Sequence, residues 1–185
     1  MTFSVKNSVS AVFAFGLSAS LALASAFAAG EHGGGHGHGA KIGQPGDPSA
    51  VSRTIEVNMG DNFYEPEEIE VKEGETVRFV VTNKGEFVHE FNIATAEMHK
   101  AHQPEMMMMM EHGVLEGDRI NWEAAKAMQE SMGHGMHEEP NSILLEPGQT
   151  AEIVWQFPDH AELEFACNVP GHYGAGMVGP IKLSH

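Results

Sequence analysis

From Val51 onward, apolar and polar residues alternate in short runs broken by Gly, Asn and Pro. The runs "SRTIEVNM" (52–59), "EEIEVKEGETVRFVVTN" (67–83) and "EFVHEFNIA" (86–94) are rich in β-branched and aromatic residues. A period of two sends successive side chains to opposite faces of an extended strand. The texture returns at Ser142 with "SILLEPGQTAEIVWQFPDHAELEFAC" and ends with "GMVGPIKLS". Together the runs predict about eight short strands, spaced by turn signals as in a β-sandwich.

Residues 94–140 break this pattern. They hold nine of the twelve methionines and five of the twelve histidines. A helix is expected from Asp118 as N-cap through Met132 to Gly133, with Ile120, Ala124, Met128 and Met132 on one packing face. The five consecutive methionines Met106–Met110 cannot all face a core, because consecutive helical residues point round the whole circumference. The predicted order is strands, a Met/His-rich and partly helical insertion, then strands.

The N-terminus adds two further segments. Residues 1–28 carry one charge, Lys6, then an apolar run closing on Ala26-Phe27-Ala28. That is the layout of a cleaved export signal and implies a periplasmic protein; a retained anchor is the rival reading. Residues 29–50 are Gly- and His-rich with almost nothing apolar, and are expected to be a flexible tail. Residues 51–185 then form one domain with the insertion at 94–140. The net charge of −16 disfavours nucleic acid and anionic lipid as partners.

An exported chain that uses cysteine structurally carries an even number, yet Cys167 stands alone. It is buried, dimer-forming or metal-bound. Its neighbours in "CNVPGHYGAGM" are His172 and Met177. Type 1 copper takes one thiolate and two imidazoles in a near-trigonal plane, with a weak axial ligand that is commonly a thioether. The loop offers three of the four, and His89 in "EFVHEFNI" sits at a strand-like position from which to complete the set. Zinc is the chemical rival, although Cys, Met and two His are an unusual structural-zinc set.

The loop "CNVPGHYGAGM" resembles the ligand loop of the cupredoxins, and "FYEPEEIEVKEGETVRFVVTNKGEFVHEFNI" is similar to the N-terminal half of that family. The resemblance covers residues 51–93 and 141–184. It implies an all-β, Greek-key β-sandwich holding one type 1 copper through His89, Cys167, His172 and Met177. It also implies that the backbone N–H groups of Glu90 and Val169 donate to the Cys167 sulfur. The spacing departs from azurin in two places. One extra residue separates His172 from Met177, and Val88 stands where azurin has glycine. Glu90 occupies a position where several members have an asparagine that ties the ligand loops together.

Thioethers select Cu(I), and imidazoles accept either copper oxidation state. Candidate auxiliary donors in the insertion are Met98, His99, His102, Met106, Met107, Met108, Met109, Met110, His112, His134, Met136 and His137. In the tail they are His32, His36 and His38. Packing over the sandwich is the competing role for the methionines. The functional expectation is a periplasmic copper-tolerance protein, resembling the copper-tolerance cupredoxins that join a type 1 centre to Met- and His-rich stretches. The alternative is a mobile electron carrier, docking a redox partner on an apolar rim of Pro170, Tyr173, Ala175 and Val178 around His172. An oxidase or nitrite reductase would need a second copper centre on a larger chain. The chain therefore reads as a non-enzyme, with oxidation of Cu(I) left open.

Overall fold

The computed structural model describes residues 42–132 and 139–185. In chain order the described strands are β1 (Gln44–Pro45), β2 (Arg53–Gly60), β3 (Phe63–Glu65), β4 (Ile69–Lys72), β5 (Thr76–Asn83), β6 (His89–Ala94), β7 (Ser142–Leu145), β8 (Thr150–Gln156), β9 (Leu163–Ala166) and β10 (Val178–Ser184). They form two five-stranded sheets, in the orders β1-β8-β5-β2-β3 and β4-β10-β9-β6-β7. Pairing is antiparallel except between β2 and β5 and between β4 and β10. The eight expected strands are present, and β1 and β3 are additional.

Alternation explains the core. In β5, Val77, Phe79 and Val81 are buried while the residues between them are only partly so, and β4 repeats the pattern with Ile69 and Val71. Between the sheets, Phe79, Phe91, Phe165 and Tyr64 stack ring against ring at centroid distances of 4.9–5.6 Å along the path Phe79–Phe91–Phe165–Tyr64. Such edge and tilted contacts each add about 0.5–1.5 kcal/mol beyond area burial.

The strand β6 breaks the alternation, for all six of its residues are buried. Phe91 and Ile93 face the core, so Glu90, Asn92 and Ala94 lie on the opposite face. There the insertion covers them. Its first helix, α1 (Ala96–Glu111), starts at Thr95, whose side chain accepts from the Met98 N–H. Pro104 lies inside α1 and, having no N–H, leaves the carbonyl four residues earlier without its helical donor. The second helix, α2 (Trp122–Met132), starts at Asn121, whose Oδ1 accepts from the Ala124 N–H at 3.0 Å.

Three expectations need correction. The flexible tail does not extend to Ala50. Ile42 is buried, its carbonyl accepts from Trp155 Nε1 at 2.9 Å, and β1 pairs with β8. One apolar residue and a short ladder anchor what composition alone left free. The helix does not start at Asp118, because Ile120 forms a bridge with Leu115 and its N–H donates to Glu146 at 2.8 Å. Those bonds hold Ile120 outside the helix and pass the cap to Asn121. Met132 does not share the packing face: it is 42% exposed, and Ala125 and Met128 are the buried positions of α2. The expected signal peptide (1–28), the rest of the tail and the turn near Gly133 lie outside the described residues.

Candidate metal centre

His89 opens β6, Cys167 follows β9 and Met177 precedes β10, so three adjacent strand ends of one sheet converge. The loop between Cys167 and Met177 closes on itself. Cys167 N–H donates to the Met177 carbonyl at 3.1 Å, and Met177 N–H donates to the His172 carbonyl at 3.0 Å. Gly171 and Gly176 turn it with φ of +92° and +100°, values that favour glycine.

Three donors meet at this end. Nδ1 of His89 lies 3.2 Å from Nδ1 of His172, and Cys167 Sγ lies 3.4 Å from His172 Nδ1 and 4.0 Å from His89 Nδ1. Bonds of about 2.0–2.3 Å to imidazole nitrogen and thiolate place the corners of a trigonal set about 3.5 Å apart. The triangle fits one ion. His89, Cys167 and Met177 are fully buried, and His172 is partly exposed.

Burial pushes the Cys167 thiol up to about 12, against the pull of the Glu90 and Val169 backbone N–H groups. The metal-free sulfur therefore keeps its proton, and a bound cation would displace it. Burial and the neighbouring His89 lower the pKa of His172, which favours the neutral imidazole that a metal needs. The Glu90 N–H donates to Cys167 Sγ at 3.3 Å.

The Glu90 carboxylate stands between the ligand loop and the insertion. Its Oε2 accepts from the Asn168 N–H at 3.0 Å and from Asn168 Nδ2 at 2.8 Å. Its Oε1 accepts from Ser142 Oγ at 2.6 Å and Asn92 Nδ2 at 3.2 Å, and lies 3.4 Å from His102 Nε2 on α1. Burial alone would raise its pKa, but His102, Ser142 and Asn168 hold it below the usual carboxylate value. The reciprocal is seen at His102. Burial opposes its charge, yet Glu90, with Glu105 and Glu139, raises it to about 9.

The auxiliary candidates scatter. His99 is fully buried, with Nδ1 3.1 Å from Asn168 Nδ2, and so lies behind the ligand loop rather than on a surface. Met106 and Met109 are buried, Met98 and Met108 pack against the core, and Met107 and Met110 are exposed. His112 is exposed, its Nδ1 2.9 Å from the Met108 carbonyl. A cavity of about 500 Å³ between α1, α2 and the strands β7 and β8 is lined by Met106, Met108, Met109, Met128 and His102. His32, His36, His38, His134, Met136 and His137 lie outside the described residues.

Two contributors escaped the sequence. Asp61 Oδ1 lies 2.9 Å from His89 Nε2 and so sets which ring nitrogen faces the triangle. It occupies the β2–β3 turn, where an Asp-Asn pair signals only a turn. Asn168 adjoins the cysteine, and that adjacency was the available signal for it.

A fold of two packed sheets with two His and one Cys gathered at one end, where a loop closes at Met177, is the arrangement of a copper protein class. The profile of copper-binding proteins of the plastocyanin/azurin family matches residues 51–184, and the chain belongs to that family, the cupredoxins. It is 46% identical over 156 residues to the copper-resistant cuproprotein CopI of Pseudomonas aeruginosa, covering 79% of this chain and 84% of that one. To CopI of Rubrivivax gelatinosus it is 38% identical over 153 residues, covering 81% and 79%. Among solved structures, dithionite-reduced auracyanin from Roseiflexus castenholzii superposes with a TM-score of 0.51 at 20% identity, covering 73% of this chain and 99% of that one. That last likeness concerns the fold alone.

Proposed function

We propose that this chain is an exported type 1 copper protein of copper tolerance. It holds one ion at His89, Cys167, His172 and Met177 and gathers further copper through its Met- and His-rich segments. The observation that carries the reading is the buried triangle of one thiol and two imidazoles. Similarity to copper-resistance cuproproteins supports the physiological setting, and the cavity lined by four thioethers supports the gathering role. When bound, copper supplies a one-electron redox couple.

The chain's own residues prepare that site. Asp61 orients His89, the closed loop fixes His172 relative to Cys167, and the Glu90 and Val169 N–H groups stabilise the thiolate. The partly exposed His172 gives a path to the surface, which favours a second reading as an electron carrier. Stoichiometry separates the two. Copper-loaded protein should show an intense thiolate-to-copper band that is absent from Cys167→Ser, and it should bind more than one Cu(I). A single equivalent with the band present would support the carrier. No band in either protein would overturn the type 1 assignment.

A further inference from the structure

At the far pole of the sandwich, three side chains that belong neither to the thiolate cluster nor to the Met/His-rich insertion come together. Glu73 follows β4, His160 precedes β9 and His185 follows β10. Nδ1 of His160 lies 2.8 Å from Glu73 Oε1, and Nδ1 of His185 lies 2.9 Å from Glu73 Oε2. One ligand atom from each residue lies within 4.8 Å of the other two.

The placement is built by backbone. Glu73 N–H donates to the Ser184 carbonyl at 2.9 Å, pinning the carboxylate's residue to the end of β10. His160 has φ of +53°, and its N–H donates to Glu73 Oε1 at 3.1 Å, on the same oxygen that its ring faces. A non-glycine residue in the left-handed region is uncommon. Here that conformation turns both the N–H and the imidazole of one residue towards a single carboxylate. Glu73 is largely shielded, while both imidazoles are open to solvent.

We propose that Glu73, His160 and His185 form a second copper(II) site. Two imidazoles, which are borderline donors, with one hard carboxylate suit late first-row divalent ions, among which Cu(II) binds tightest. Each imidazole Nδ1 faces a different oxygen of the one carboxylate, at 2.8 and 2.9 Å, so the three residues can turn two nitrogens and a carboxylate oxygen towards one ion, a donor set that suits the tetragonal geometry of Cu(II). The site is independent of the thiolate cluster. Met177 and His185 flank β10, eight residue steps apart, or about 26 Å at the rise of an extended strand. It offers no sulfur, so it would favour the oxidised ion over the Cu(I) that soft thioethers select.

The test is titration of the full-length, nitrogen-15-labelled protein with copper(II) chloride. Amide resonances of Glu73, Gly74 and Ala161 should vanish by paramagnetic broadening, and the count of Cu(II) detected by electron paramagnetic resonance should fall by one in Glu73→Gln and in His160→Ala/His185→Ala. Broadening confined to other regions of the wild-type protein would overturn the site, leaving the cluster a pair of imidazole–carboxylate ion pairs. Equal Cu(II) counts in wild type and both variants would do the same. The wild-type titration decides the matter even where a variant folds poorly.

Discussion

His102 should make the metal-free protein less stable in mildly alkaline solution, and replacing it with Gln should remove that dependence. In the folded protein its pKa stands at about 9, against 6.5 for a free histidine, because Glu90 and Glu105 outweigh the burial that opposes its charge. Each pH unit of that gap is worth about 1.4 kcal/mol, so protonated His102 contributes about 3 kcal/mol. The sign follows from which state binds the proton more tightly. The folded chain does, so the contribution is complete below about pH 6.5 and is lost as pH rises through about 9. The assay is urea unfolding of metal-free wild type and His102→Gln at both ends of that window. Groups that do not touch His102, Cys167 in the unfolded chain among them, cancel in the difference between the proteins. The expected difference is about 3 kcal/mol at the acid end and near zero at the alkaline end. A difference unchanged with pH would refute an ion pair between Glu90 and His102.

Other outcomes follow from the site. Asp61→Ala should free the His89 ring and weaken copper binding about 10- to 100-fold in competition titrations, the usual cost of losing the partner that orients a ligand; unchanged affinity would mean that packing alone holds the ring. Replacing Met106, Met108, Met109 and Met128 together with Leu should keep thermal stability close to wild type, since Leu and Met are near in volume, while lowering Cu(I) equivalents. Unchanged Cu(I) uptake would assign those four thioethers to packing.

The sandwich was legible because its strands are long enough to alternate: Val77, Phe79 and Val81 announce β5 without any partner in view. The strands β1 and β3, of two and three residues, carry no period and exist because β8 and β2 offer edges to pair with. Helix α1 escaped because a run of methionines has no polar face to contrast with an apolar one, and because Pro104 reads as a breaker. Asp118 and Asn121 are equally good caps by residue type, and a bridge to Leu115 and a bond to Glu146 decided between them. At the site, the Cys167–His172–Met177 spacing was visible because a single loop carries it. The role of the Glu90 side chain was not, because its partners His102, Ser142 and Asn168 come from three distant stretches. The pole formed by Glu73, His160 and His185 was invisible for the same reason.

The double burial of β6 bears on modularity. In a bare sandwich the outward face of that strand would meet water, and Glu90 and Asn92 would be ordinary surface residues. Here α1 roofs them, and its cation compensates a carboxylate that also grips the loop bearing the thiol. The Met-rich insertion is therefore not a detachable cassette. Excising it would strip a buried anion of its counter-charge next to the ligands, and transplanting it to a shorter relative would require Glu90, Ser142 and Asn168 to travel with it.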